Sequence, residues 1–148
     1  EHGRQRRQQR RSHPGGEVMI SPRYHREIPQ RYRLEAGQCN GCQEVHFPPR
    51  AVCRKCGGEE FTTITLPSHG KVVTHTTCWI PPAEFDNQKP YVNAIVELDN
   101  GTRLTCMVCE APPDEVEVGT EVEIVFRKLA EDPKWEVIKY GYKARVIP

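Results

Sequence analysis

Nowhere in its 148 residues does the chain carry an apolar run approaching the ~20 residues that a membrane-spanning helix requires. The N-terminal stretch also lacks the apolar segment of a secretory signal, so the expected location is cytoplasmic. A surplus of charge of one sign is missing too: 21 Lys and Arg stand against 20 Asp and Glu. That balance is uneven along the chain. Five arginines (Arg4, Arg6, Arg7, Arg10 and Arg11) and two glutamates fall within residues 1–18, which leaves 16 basic and 18 acidic residues in the body. A net acidic body is not a polyanion-binding surface by charge alone. There is no Gly-rich phosphate loop and no serine elbow. The histidines beyond the tail, His25, His46, His69 and His75, sit in no recognisable catalytic motif, and no catalytic residue is expected.

Cysteine, by contrast, is plentiful, with seven residues in a chain that has no secretory signal. This reads as reduced thiols, some of them metal ligands, and not as a disulfide framework. Cys39-Asn40-Gly41-Cys42 and Cys53-Arg54-Lys55-Cys56 form two Cys-x-x-Cys knuckles with ten residues between them. Each tight turn supplies two thiolates, and two such turns complete the tetrahedron that zinc prefers. Cys39, Cys42, Cys53 and Cys56 are therefore the expected ligands of one structural Zn2+. Four sulfur ligands leave no open position for water, so a catalytic role for the metal is not expected. Gln43 stands where the first knuckle would ordinarily have glycine. A third pair, Cys106 and Cys109, is also spaced Cys-x-x-Cys, but on a strand residues three apart point to opposite faces, so packing is the expected role.

After the knuckles the texture changes to β-branched runs separated by Gly, Pro, Asn and Asp. Strands are expected over Phe61 to Leu66, Lys71 to Trp79, Tyr91 to Leu98, Thr102 to Cys109, Glu121 to Leu129 and Trp135 to Ile147. A polar loop separates Pro81 from Pro90, and Asp99-Asn100-Gly101 is a strong hairpin signal. In the fourth strand of the barrel Val122, Ile124 and Phe126 fall on one face. The expected fold is mainly β: short N-terminal helices, a rubredoxin-like zinc ribbon, then a five-stranded OB-fold barrel. The expected divisions are a disordered or vector-derived tail (1–18), an N-terminal helical segment (19–36), the ribbon (37–67) and the OB-fold (68–148).

The run Tyr32-Arg33-Leu34, Cys39-Asn40-Gly41-Cys42, His46-Phe47-Pro48-Pro49-Arg50 and Cys53-Arg54-Lys55-Cys56-Gly57 resembles an acyl-CoA-associated family that pairs a zinc ribbon with an OB-fold. Gly70-Lys71-Val72, Pro81-Pro82, Pro90-Tyr91 and Gly119 extend the resemblance. It implies an accessory subunit without catalytic residues, similar to the archaeal protein that bridges acetoacetyl-CoA thiolase and hydroxymethylglutaryl-CoA synthase in the mevalonate pathway. There CoA or acyl-CoA is a ligand shared with the partners; other members accompany different thiolase-fold enzymes. Trp79, Ile80 and Phe85 are then candidates for a partner interface or a pantetheine groove, and Arg50 for contact with a CoA phosphate. Tyr24 and Tyr32 with their neighbouring arginines form a possible second docking surface. Two other readings compete. A single-stranded nucleic-acid binder would need a basic groove with stacking aromatics, and the second and third strands of the barrel contain only Tyr91 and Arg103 of those types. A small acyl-CoA hydrolase or transferase would need Cys78 paired with a histidine.

Overall fold

The computed structural model describes residues 25–132 and 137–148. The Arg-rich tail, Tyr24, the Pro133-Lys134 turn and Trp135 lie outside the described residues. The chain enters through a short helix, α1 (Ile28–Arg33), with Pro29 in its first turn and Leu34 in the left-handed conformation just past its end. Proline is tolerated in the first turn because its missing N–H has no intrahelical acceptor there. The backbone then extends into β1 (Glu35–Cys39), which is central in a three-stranded antiparallel sheet with β2 (Val45–His46) and β3 (Phe61–Thr65). Gly37 pairs with His46 on one side and with Thr63 on the other.

Five longer strands follow: β4 (His69–Cys78), β5 (Tyr91–Leu98), β6 (Arg103–Cys109), β7 (Glu121–Asp132) and β8 (Val137–Val146). They are hydrogen-bonded in the order β4-β5-β6-β8-β7, and β7 returns to β4. The Asp99-Asn100-Gly101 turn joins β5 to β6, with Gly101 at a φ of 79°, which glycine adopts without steric cost.

The expectation of short helices followed by a five-stranded OB-fold barrel is corrected in two respects. Among the described residues the N-terminal segment offers one six-residue helix, preceded by a single helical turn at His25 and Arg26. The ring of five strands closes, but unevenly, so it is not the regular cylinder of an evenly paired barrel. β6 and β8 run parallel for two residue pairs only, Val108 with Ala144 and Cys109 with Arg145, and β4 meets β7 over three. The cause lies in β7 and β8, which pair with each other over ten positions. A two-stranded ribbon of that length twists strongly and carries β8 away from β6. α1 lies beside this short junction: Glu27, Gln30 and Arg31 face Thr105, Met107 and Tyr142 around a cavity of about 360 Å³.

Alternate residues of each strand point inward and make one core. Val72, the β5 series Val92, Ala94, Val96 and Leu98, and the β6 series Leu104, Cys106 and Val108 pack with Val122, Ile124 and Ala144. Ala36 of β1 and Leu66 just after β3 belong to the same cluster, with Val45, Phe47 and Ile64 packed against it. The three-stranded sheet thus has no separate apolar centre; it leans on the larger one. Phe126 shares the inward parity of Val122 and Ile124 yet is 43% exposed, because it lies beyond the core and stacks between Tyr32 of α1 and Tyr140 of β8.

Candidate metal centre and contact surfaces

The two knuckles fold as copies of one another. Cys39 O accepts the Gln43 N–H at 2.9 Å, and Cys53 O accepts the Gly57 N–H at 3.0 Å. Cys39 N–H donates to Glu44 O, and Cys53 N–H to Gly58 O. Gln43 and Gly57 are equivalent in this scheme, and both have left-handed backbone, with φ of 61° and 75°. The missing glycine of the first knuckle therefore falls where glycine is sterically favoured. Gly41 and Gly58 lie close to the sulfurs of Cys39 and Cys56: a Cβ at Gly58 would stand 3.4 Å from Cys56 Sγ.

These turns bring Cys39, Cys42, Cys53 and Cys56 together with all four sulfur atoms within 4.8 Å of one another. The Cys39–Cys56 and Cys42–Cys53 pairs are 3.5 Å apart. Four sulfurs around zinc at ~2.3 Å would be separated by about 3.8 Å. The donor set and its spacing therefore fit a closed tetrahedral thiolate site of the structural kind. Cys39 and Cys53 are buried, Cys42 is half-buried and Cys56 exposed.

Proton affinities among the four thiols are split. His46 Nε2 lies 3.3 Å from Cys53 Sγ, and this contact, helped by the amides of Cys56 and Lys55, holds the Cys53 thiol down to about 5. The Glu44 amide acts in the same direction on Cys42, but burial and the sulfurs of Cys53, Cys56 and Cys39 prevail and push it up to about 12. Cys56 is favoured as thiolate by the Gly58 amide, yet neighbouring sulfurs raise it overall. Crowded thiols oppose one another's ionisation, and a cation removes that opposition. His46 is buried and reaches Cys53 from β2, as a group that orients a ligand and not as a ligand itself. Sequence reasoning missed this role; the signal was a histidine between the two knuckles, four residues after Cys42.

The other expected contact residues do not form one site. Trp79 and Ile80, just past β4, are 68% and 93% exposed. Phe85, in the 3-10 helix Ala83–Gln88, packs on Tyr91 with ring centroids 6.0 Å apart. Arg50 is at the other end of β5, in a groove beside the β5–β6 hairpin. The eight-residue strand from Tyr91 to Leu98 separates the two ends by about 23 Å. His75 pairs across from Ala94 and Cys78 across from Tyr91, so the two side chains leave β4 on opposite faces. Burial pushes the Cys106 thiol up to about 12, which makes it a poor nucleophile at neutral pH. No helix among the described residues is long and apolar enough to cross a membrane.

Comparison with known proteins agrees with this arrangement. Residues 26–62 match the ChsH2 rubredoxin-like zinc ribbon domain, and residues 63–127 match the ChsH2 C-terminal OB-fold domain. A "DUF35 domain-containing scaffold protein" of Methanocaldococcus jannaschii is 42% identical over 123 residues, covering 82% of this chain and 87% of that one. The chain belongs to the DUF35/ChsH2 family of zinc-ribbon and OB-fold proteins. The benzoylsuccinyl-CoA thiolase subunit BbsA of Thauera aromatica is 28% identical over 114 residues, 77% of this chain and 76% of that one. Among solved structures, the Ltp2-ChsH2(DUF35) aldolase contains a chain that superimposes with a TM-score of 0.64 at 27% identity, covering 88% of this chain and 98% of that one.

Proposed function

We propose that this DUF35/ChsH2 protein is a noncatalytic, cytoplasmic scaffold that holds thiolase-superfamily enzymes together around a shared acyl-CoA. Its partners in this reading are acetoacetyl-CoA thiolase and hydroxymethylglutaryl-CoA synthase, with intermediate transfer between them. One zinc ion, held by Cys39, Cys42, Cys53 and Cys56, stabilises the ribbon and takes no part in chemistry. The observation that carries the reading is the 42% identity, over most of both chains, to a protein described as a scaffold. Similarity to a named thiolase subunit and to a chain of an aldolase complex supports a thiolase-fold partner. Trp79 and Ile80 fit a contact surface, since exposed Trp and Ile side by side gain most from being covered.

The test is co-expression of the tagged chain with the thiolase and synthase of its own host. The expected result is a single gel-filtration peak containing all three, reduced to separate peaks when Trp79→Ala and Ile80→Ala are combined. Separate elution of the wild-type proteins would remove the proposal.

A further inference from the structure

In the three-stranded sheet β1 lies between β2 and β3, so β3 has a strand on one side only. Hydrogen bonds at the two ends of the β1–β3 ladder fix its phase: Leu66 N–H donates to Leu34 O, and Asn40 N–H to Glu60 O. In an antiparallel ladder such bonded pairs recur at every second residue. Between those ends the bonded pairs are therefore Ala36 with Ile64 and Gln38 with Thr62. Phe61, Thr63 and Thr65 direct their own N–H and C=O groups the other way, where among the described residues they meet no partner.

Edge strands are ordinarily guarded by a lysine, a proline, a bulge or a covering segment. β3 has none of these. Phe61-Thr62-Thr63-Ile64-Thr65 is uncharged, free of proline and regular in register, and its three threonines are exposed. Its β-branched and aromatic residues favour strand pairing. The opposite edge of the sheet differs: β2 has only two residues and runs into Phe47-Pro48-Pro49, which is too short to hold a further strand.

We infer that β3 is a docking edge for a second copy of this chain, which pairs antiparallel with its own equivalent about a two-fold axis at Thr63. This register satisfies every open group: Thr63 bonds to Thr63 of the second copy, and Phe61 and Thr65 bond to one another on either side. The side chains match as well. Phe61, which packs over Gly37, falls beside the second copy's Thr65, the two Thr63 side chains lie together, and Thr62 falls beside Ile64. Charge does not oppose the pairing. Glu59 and Glu60 stand opposite Pro67 and Leu66 of the second copy, with Arg33 beside that end. The two Glu60 residues are about 20 Å apart along the strands, well beyond the ~8 Å screening length. Because β2 cannot extend the sheet, association closes at two copies. A strand pair of this length buries far less than the ~800 Å² per partner of a stable complex. The dimer is accordingly weak, with a Kd between about 1 µM and about 1 mM. The inference is independent of the scaffold reading.

Sedimentation velocity of the full-length, metal-loaded chain, run up to about 1 mM, tests it. The expected result is a concentration-dependent shift from the 17.0 kDa monomer toward a dimer. Thr63→Lys sets like charges opposite one another at the axis, and Thr63→Pro removes an N–H that β1 does not use. Each is expected to weaken association at least about 10-fold at unchanged metal content and circular dichroism. Amide hydrogen exchange reads the edge itself: Thr62 and Ile64 should be protected at every concentration, whereas Phe61, Thr63 and Thr65 become protected only as the dimer forms. A chain that stays monomeric throughout, or association unchanged in both variants, overturns the inference. Protection of Phe61, Thr63 and Thr65 that appears only when the thiolase or synthase is added also overturns it, and gives the edge to a partner's strand. Dimerisation without co-elution of those enzymes removes the scaffold reading alone.

Discussion

Gln43 and Gly57 occupy the same place in two copies of one turn, and only one of them is glycine. A residue with a Cβ in left-handed backbone costs about 1 kcal/mol. Gln43 offsets part of this by donating its side-chain amide to Asn40 O at 3.1 Å, on the exposed surface. Gln43→Gly should therefore raise stability by up to about 1 kcal/mol, and Gly57→Ala should lower it by a similar amount; denaturant melts of the metal-loaded protein measure both. The thiols permit a second prediction. Cys42, pushed up to about 12, and Cys56, also raised, carry protons at pH 7, whereas Cys53 at about 5 does not. Metal uptake must displace the protons of the first two, so at least two are released per ion and affinity increases with pH. Between pH 8 and pH 6 the apparent affinity should fall at least about 100-fold per unit. A pH indicator in weakly buffered solution counts the protons, and release of fewer than two would contradict the assignment of Cys42 and Cys56 as ligands.

At the level of strands, the register shifts once in β4, at Val73, and once in β7, at Leu129, and these places shape the sheet. Val73 is the extra residue where the β4–β5 register shifts, and beside it Val72 exchanges hydrogen bonds with Gly119 and Thr120 instead. Two residues earlier, Gly70 lies so close to β5 that an added Cβ would stand 2.4 Å from Glu97 O, a backbone atom. Gly70→Ala should thus force β4 and β5 apart and cost at least about 2 kcal/mol; a thermal melt at fixed metal content checks it, and an unchanged midpoint would mean that the strands separate freely. How much of this was legible beforehand follows from period and turn chemistry. The alternation in β5, β6 and β7 and the Asp-Asn-Gly turn are local signals, and the strands formed within a few residues of expectation. The bulges, the two-pair β6–β8 contact and the helix packed beside it depend on twist accumulated over distant strands, which no window of sequence carries. For the same reason the four cysteines could be read from their spacing, whereas the meeting of Arg50, Arg54 and Arg103 along one groove could not.

Across the whole molecule, the metal site and the five strands share one apolar core through Ala36, Leu66 and their neighbours. Structural zinc contributes on the order of 10 kcal/mol to small domains of this kind. Chelation should therefore lower the melting temperature of the entire chain in one transition seen alike by far-UV and near-UV circular dichroism. Two transitions, with the later one unmoved, would show that the strands hold without the ribbon. The shared core has a further consequence for the two ends of β5, the exposed Trp79–Ile80 pair and the arginine groove. With continuous packing between them, the body behaves as a jig of fixed length: whatever is gripped at one end is presented at a set distance and angle to whatever sits at the other.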